Sequence, residues 1–353
     1  MKKFAVFSGF LGSGKTTAMI ALTRFYTGKY AKAAMISNDL GAGVMLADHR
    51  LAQFGGCLAA QITDECICFC LDALADRLNS FYAQGCELVV SDIPGFGVGA
   101  LEHVYHGLSE NRRGQFELAP FTVFIEPHRL VQLRDGTAGD MGIILDAQLK
   151  EADLIVLSKK DLLDGETCRS HLARLAERYP GTRLLAVSAR TGEGMDALSQ
   201  ALREGSASLR RPDIDYASDD LQNAMSRLSE YYLQYRALVC CNDFDGNTYL
   251  SDLAEEIRSA VRSAGCEIPH LKLLAWSPEG DYGKADLLGA ERSIELSHRF
   301  TQPCVDLAVL LNASAVCPDP ALSRLLGAAV ASVSERYQLE LTIFKKDHFG
   351  LGD

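Results

Sequence analysis

The chain has 353 residues, of which 48% are hydrophobic and 23% charged, and a formal net charge of −11. That length supports two domains. The acidic balance argues against a nucleic-acid-binding surface, which would need a basic stripe, and with no unbroken apolar run of about 18 residues no transmembrane helix is expected.

The first expected strand is Lys3–Ser8. Directly after it comes Gly9-Phe10-Leu11-Gly12-Ser13-Gly14-Lys15-Thr16-Thr17, with a helical pattern over Thr16–Tyr26. This fits G-x-x-x-x-G-K-[ST] in its required context, a strand before and a helix after. Glycines let successive N–H groups converge on phosphate oxygens, and the helix N-terminus adds partial positive charge. Gly9, Gly12, Ser13, Gly14, Lys15, Thr16 and Thr17 are therefore assigned to nucleotide binding, with Lys15 on the β/γ-phosphates and Thr16 on Mg²⁺. Met1-Lys2-Lys3 before an apolar run has the look of a secretory leader, but Gly12, Ser13 and Lys15 interrupt it, and the phosphate loop explains it better. A P-loop enzyme needs cytosolic nucleotide, so a cytoplasmic protein is expected.

A second strand, Ala33–Ser37, leads into Asn38-Asp39-Leu40-Gly41, where Asp39 is placed to be a second Mg²⁺ carboxylate or a switch residue. Glu65-Cys66-Ile67-Cys68-Phe69-Cys70 then sets three thiols within five residues, just before a helix over Leu71–Gln84. Three soft ligands at this spacing suit Zn²⁺ or another thiophilic divalent ion such as Co²⁺ or Ni²⁺. Six of the chain's eleven cysteines (Cys57, Cys86, Cys168, Cys266, Cys304, Cys317) are scattered and read as small buried hydrophobes. Cys240 and Cys241 end an apolar strand and would point to opposite faces. His103 and His106 share a helix face but are assigned no nucleotide role.

The third strand, Leu88–Ser91, runs into Asp92 and, three residues on, Gly95. Asp92 can hold Mg²⁺ through water, while the Gly95 N–H can meet the γ-phosphate, so both join Lys15 and Thr16 as catalytic candidates. After a strand at Phe121–Ile125 and a helix at Ala147–Glu151, the strand Leu154–Leu157 ends in Ser158-Lys159-Lys160-Asp161. Asp161 can accept two hydrogen bonds from guanine N1 and N2, which adenine cannot offer. Lys159 would lie along the base plane. A helix at Thr167–Arg178 and a strand at Arg183–Val187 follow, ending at Ser188 and Ala189, which could complete the base pocket. Together these point to GTP rather than ATP. No arginine finger is evident in cis.

Alternating strands and helices to residue 205 predict a P-loop parallel sheet with helices on both faces. Residues 206–220 read as a linker rich in Ser, Arg, Pro and Asp. Residues 221–353 read as a smaller α+β domain. Its order is a helix at Leu221–Tyr235, a strand at Ala237–Cys241, a helix at Thr248–Ser263, and strands near His270–Trp276, Lys284–Leu288, Ser293–Ser297 and Val305–Asn312. A helix at Ala321–Tyr337 and a strand at Leu339–Phe344 close it, an order that suggests a split βαβ sandwich.

The P-loop form G-F-L-G-S-G-K-T-T, Asn38-Asp39-Leu40-Gly41, the cysteine loop, Asp92 with Gly95, Gln148 to Asp153, and Ser158–Asp161 occur in the order seen in CobW-like GTPases. Over residues 1 to about 200 the chain resembles this group of CobW/HypB/UreG metal-delivery proteins. The resemblance implies that GTP hydrolysis loads or releases a metal held at the cysteine loop, on behalf of a client metalloenzyme or corrinoid protein. The missing arginine finger points to slow intrinsic turnover, with a partner or second protomer completing the site, and the resemblance implies a homodimer across the nucleotide face. Three positions depart from the family's pattern. Its Cys-x-Cys-Cys loop is matched by Cys66 and Cys68, but Phe69 displaces the third thiol to Cys70. Its glutamate is Asp92 here, and its base-recognition asparagine is Ser158. The competing expectations are a regulatory GTP switch with structural cysteines and a P-loop kinase or ATPase. Ser158–Asp161 argues against the latter, and the cysteines against the former.

Overall fold

The computed structural model describes residues 2–111, 116–239 and 243–351. Cys240 and Cys241 lie outside them. The described chain divides into two compact units, one of residues 1–40 and 48–224, the other of residues 41–47 and 225–353.

In chain order the first unit holds β1 (Lys3–Ser8), α1 (Lys15–Lys29), β2 (Ala33–Asn38), α2 (Ala47–Phe54), β3 (Leu58–Ile62), α3 (Leu71–Ala83) and β4 (Leu88–Asp92). A π-helical turn, Leu101–His106, runs into α4 (Gly107–Asn111). Then come β5 (Glu117–Leu118), β6 (Thr122–Ile125), α5 (Pro127–Asp135), α6 (Asp140–Glu151), β7 (Leu154–Leu157), α7 (Gly165–Arg178), β8 (Arg183–Ala186), α8 (Met195–Glu204) and α9 (Asp219–Ser226). The strands form one sheet in the order β3-β2-β4-β1-β6-β7-β8, with β5 on β1, and all its pairings are parallel. β1, β2, β4, β6 and β7 are buried along their whole length, as expected of strands covered on both faces. Met19, Leu22 and Tyr26 of α1 pack on Phe7, Met35, Val90 and Phe124. The order reverses beside β1, so the loops at the C-terminal ends of β1, β4 and β6 converge there, where ligands bind in such sheets.

Residues 206–218 are not a free tether. Ala207 N–H donates to the Leu118 carbonyl, Ser208 to Asp153, and Arg210 to the carbonyls of Lys150 and Ala152. The first unit therefore continues to Ala224, past the boundary at 205 drawn from composition.

The second unit holds β9 (Leu228–Val239), α10 (Gly246–Ser263), β10 (Glu267–Trp276), β11 (Tyr282–Leu287), β12 (Glu295–His298), β13 (Asp306–Val316), α11 (Asp319–Arg336) and β14 (Leu339–Gly350). Its sheet runs β12-β11-β10-β13-β9-β14 and is antiparallel at every pairing. β9-α10-β10 and β13-α11-β14 make the split βαβ core, and β11 with β12 extends one edge. Leu253 and Ile257 of α10 and Leu326 and Val330 of α11 cover Tyr235, Leu273 and Leu311 on one sheet face.

The helix expected over Leu221–Tyr235 is corrected here. α9 ends at Ser226, and β9 starts at Leu228. Tyr231, Leu233, Tyr235 and Ala237 enter the core alternately, a period of two that outweighs the helical reading of the segment's start. Residues 41–47 also belong to this unit. Val44 and Leu46 pack with Tyr232 and Phe349, Ala42 N–H donates to Asp347 at 2.7 Å, and Gln234 Nε2 donates to the Met45 carbonyl at 3.0 Å.

Candidate functional site

The turn from β1 into α1 is built by glycines for a steric reason. Gly9 has φ 129°, and a Cβ there would lie 2.2 Å from the Phe124 carbonyl oxygen. No other residue could bring the backbone so close to β6. Gly14, also at positive φ, is the N-cap of α1 and supplies no side-chain cap. The first amides of α1 are thus left for an outside acceptor. The Ser13 hydroxyl is buried without a hydrogen-bond partner, as fits a loop made to enclose a polar group. Lys15 Nζ donates to the Gly9 carbonyl, and Thr17 is exposed at the start of the helix.

Gly95 meets this loop directly. A Cβ on Gly95 would stand 2.5 Å from Leu11 Cδ2 and 3.0 Å from the Leu11 amide nitrogen. The residue expected to contact the γ-phosphate therefore touches the phosphate loop, and any side chain there would have to push Leu11 aside.

The Mg²⁺ candidates are held differently from one another. Thr16 Oγ1 donates to Asp48 Oδ2 at 2.7 Å. Asp48, near the start of α2, was not singled out from the sequence, where it reads only as an acid in a first helical turn. Asp92 Oδ1 accepts the Asn38 amide at 2.8 Å. Burial, and then the Asp48 charge, push the Asp92 carboxyl up to about 8, while the Asn38 amide and Lys15 pull the other way. A carboxylate destabilised by burial and a like charge is one that a divalent cation would restore to its ionised form. Thr16, Asp48 and Asp92 thus fit an Mg²⁺ ion accompanying a nucleotide. The Asp39 carboxylate accepts the Leu40 amide at 2.9 Å.

On the far side of the sheet centre, Ser188 Oγ donates to Asp161 Oδ1 at 2.6 Å and accepts the Thr191 amide at 3.1 Å. The carboxylate is thereby oriented from a second strand end. Ser158, buried, donates to the Ile125 carbonyl at 3.2 Å and lies 3.9 Å from the Cβ position of Gly14, joining base pocket to phosphate loop. Lys159 adopts φ 52°, a costly left-handed geometry for a side-chain-bearing residue and one concentrated at ligand sites. Its Nζ lies 3.9 Å from the buried Glu126 carboxylate. Ala189 is half-buried beside Ser188. Arg129, a buried cation, lies over the Phe10 ring at 5.4 Å and donates to Gln132.

The phosphate-loop pattern and the candidate Mg²⁺ and base-reading carboxylates all occur in one stretch, and residues 3–184 match the nucleotide-binding domain of CobW/HypB/UreG. The chain belongs to that family. It is accordingly a GTPase, and its fold is that of the family's P-loop domain followed in the chain by a separate antiparallel-sheet domain.

Solved structures similar to this CobW/HypB/UreG member include HypB from Helicobacter pylori in complex with nickel, at 17% identity and TM-score 0.41, covering 57% of this chain and 85% of that one. Zn(II)-bound YjiA GTPase from E. coli is 16% identical at TM-score 0.37, covering 94% and 98%. The apo GTPase PAB0955 from Pyrococcus abyssi is 21% identical at TM-score 0.35, covering 57% and 96%. The assignment rests on the family match and the site geometry.

In this family member the cysteine loop brings two thiols together and turns the third aside. Cys66 and Cys68 are buried, with their sulfurs 3.0 Å apart. Cys70 occupies the N-cap of α3 and directs its thiol to the Cys66 carbonyl at 3.4 Å. The hydrogen bond from Cys68 lowers the Cys66 thiol's pKa, and the same bond, with burial, raises that of Cys68. Of the two, Cys66 is the thiol that ionises first. Burial also raises the pKa of Cys70. Phe69, in the place of the family's adjacent cysteine, is three-quarters exposed and lies 5.8 Å from the His103 ring. Among the described residues, no three His, Cys, Asp or Glu side chains are gathered as a ready metal cage. A metal at Cys66 and Cys68 would need further ligands from movement of the loop, solvent or a partner.

Proposed function

We propose that this GTPase is a cytoplasmic metallochaperone that carries a thiophilic divalent ion (Zn²⁺, Co²⁺ or Ni²⁺) at Cys66 and Cys68 and passes it to a client metalloenzyme or corrinoid protein. One observation carries the reading. The charges that act on the Cys66 sulfur, after its bond to Cys68 and its burial, are those of Asp39 and Asp92. These are the carboxylates assigned to the nucleotide's Mg²⁺. A cation on either side relieves repulsion that the other side feels, so nucleotide state and metal affinity are linked in both directions. Asn38 strengthens the link mechanically. Its side chain donates to the Ile62 and Glu65 carbonyls and accepts the Ile67 amide, while its own amide is held by Asp92.

In the GTPase cycle, Lys15 and the α1 amides hold the phosphates, and Thr16 with the acidic residues around it places Mg²⁺, which neutralises developing charge. Gly95 registers the γ-phosphate. No helix among the described residues is long and apolar enough to cross a membrane, and the net charge of −11 disfavours a nucleic-acid partner. The alternative, a regulatory GTP switch with structural cysteines, predicts no such linkage. Titration of Zn²⁺, Co²⁺ and Ni²⁺ with and without a non-hydrolysable GTP analogue, on the native chain and on Cys68→Ser, separates the two. Metal affinity that depends on both the analogue and Cys68 supports delivery. Affinity and turnover that respond to neither leave the regulatory switch.

A further inference from the structure

Two residues on one face of α6 grip the loop that carries Gly95. Gln148 Nε2 donates to the Gly95 carbonyl at 3.1 Å and to the Gly97 carbonyl at 2.9 Å. Glu151, three positions on and so on the same side, accepts the Gly99 amide at 2.8 Å through Oε1. The same Oε1 accepts the Tyr216 hydroxyl, also at 2.8 Å. Both α6 side chains have no exposed surface, and Gln148 Oε1 and Glu151 Oε2 are buried without hydrogen-bond partners.

Burying two unpaired polar oxygens costs stability that an apolar pair at these positions would not incur. In return the fold gains three fixed points along Gly95–Gly99. One of them is shared with Tyr216, in the strapped segment 206–218 that precedes α9. Residue 216 sits about sixty positions beyond α6 in sequence, yet one carboxylate oxygen joins it to the γ-phosphate loop.

We propose that Glu151, with Gln148, is a positioning residue for the γ-phosphate response, and that Tyr216 completes it. The clamp holds the Gly95 peptide in register with Leu11 of the phosphate loop, so that binding a γ-phosphate does not first have to order residues 93–99. Tyr216 shares the carboxylate oxygen that fixes Gly99, so a change in the loop alters the hold on the 206–218 segment. The proposal rests on Gly95 being the γ-phosphate contact, and the experiment separates failure of that reading from failure of the clamp.

The test measures GTPγS and GDP affinities of the full chain with Glu151→Leu, which has no acceptor for Gly99 or Tyr216, with Tyr216→Phe and with the double variant, each checked for native thermal unfolding, with Gly95→Ala as reference. Both single variants are expected to keep GDP affinity within about twofold and to lower the GTPγS-to-GDP affinity ratio about threefold or more. The double variant is expected to fall no further than Glu151→Leu alone, since Glu151→Leu already removes the bond that Tyr216→Phe deletes. If Gly95→Ala lowers the ratio and neither single variant does, the clamp is structural only and the proposal fails. Independent, multiplying losses also overturn it, as does a ratio that rises. A Gly95→Ala ratio that stays unchanged removes the γ-phosphate reading and the proposal with it.

Discussion

The hydroxyl of Ser188 donates to Asp161 Oδ1 at 2.6 Å, across the ends of two adjacent strands. The bond orients the carboxylate proposed to read a base with two donors. Asp161→Asn replaces an acceptor by a donor and mispairs guanine N1–H and N2–H. GTP affinity is expected to fall about 100-fold, equivalent to about 2–3 kcal/mol. Xanthosine triphosphate, with a carbonyl at C2, should gain in the same variant. Equilibrium binding of fluorescent GTP, XTP and ATP checks both signs.

Thr16 is oriented by Asp48, so Asp48→Asn should weaken Mg²⁺-dependent nucleotide binding more than binding in EDTA. The Mg²⁺ concentration for half-maximal GDP binding is expected to rise about tenfold. Removing the like charge should also bring the Asp92 pKa down. Mg²⁺ titrations at several pH values read both effects.

The two close thiols are the core of the proposed metal site. Cys68→Ser should reduce Zn²⁺ or Co²⁺ affinity by about tenfold or more, because it removes one ligand and the bond that lowers the Cys66 pKa. Cys70→Ser should cost less, since that thiol is turned to a backbone carbonyl. Competition with a chromophoric chelator ranks the two, and the opposite ranking would reassign the site.

Glu151 makes stability pH-dependent. Burial raises its carboxyl from 4.5 to about 7 in the folded chain, with the bonds from Tyr216 and Gly99 offsetting only part. Between those values the folded state holds the extra proton, so stability should fall as pH rises from about 4.5 to about 7. Asp92 acts with the same sign, from 3.8 to about 8. Glu151→Gln should flatten part of this slope and leave the Asp92 part. Thermal unfolding of the nucleotide-free protein between pH 5 and 8 measures it.

Residues 41–47 are held by Val44 and Leu46 against Tyr232 and Phe349. Tyr232→Ala removes the largest surface under them and should destabilise the second unit by about 3 kcal/mol. Hydrogen exchange at residues 41–47 should speed up at the same time. Unchanged exchange would show that the bonds from Asp347 and Gln234 alone hold the segment.

The parallel sheet was legible in the sequence, as were the strand ends that carry the phosphate-loop pattern, Asp92 with Gly95, and Asp161 with Ser188. Each is a local pattern: an apolar strand followed by a short functional turn. The split βαβ core of the second unit was legible in outline for the same reason. The start of β9 was not, because Leu221 and Ala224 give α9 a helical spacing that runs into an alternating strand without a break.

What the sequence alone determined was the family, the parallel sheet and the GTPase activity, since these rest on short patterns of a few adjacent residues and the strand before them. Tertiary structure decided which loops act on one another. Asp48 reaches Thr16 across thirty-two positions, and Glu151 reaches Gly99 across fifty-two and Tyr216 across sixty-five. The hydrogen bonds that set these partners join side chains with no periodic relation in the chain. Burial, which raises Asp92 and Glu151 and fixes the Cys66–Cys68 pair, exists only once the sheet and its helices have closed over them.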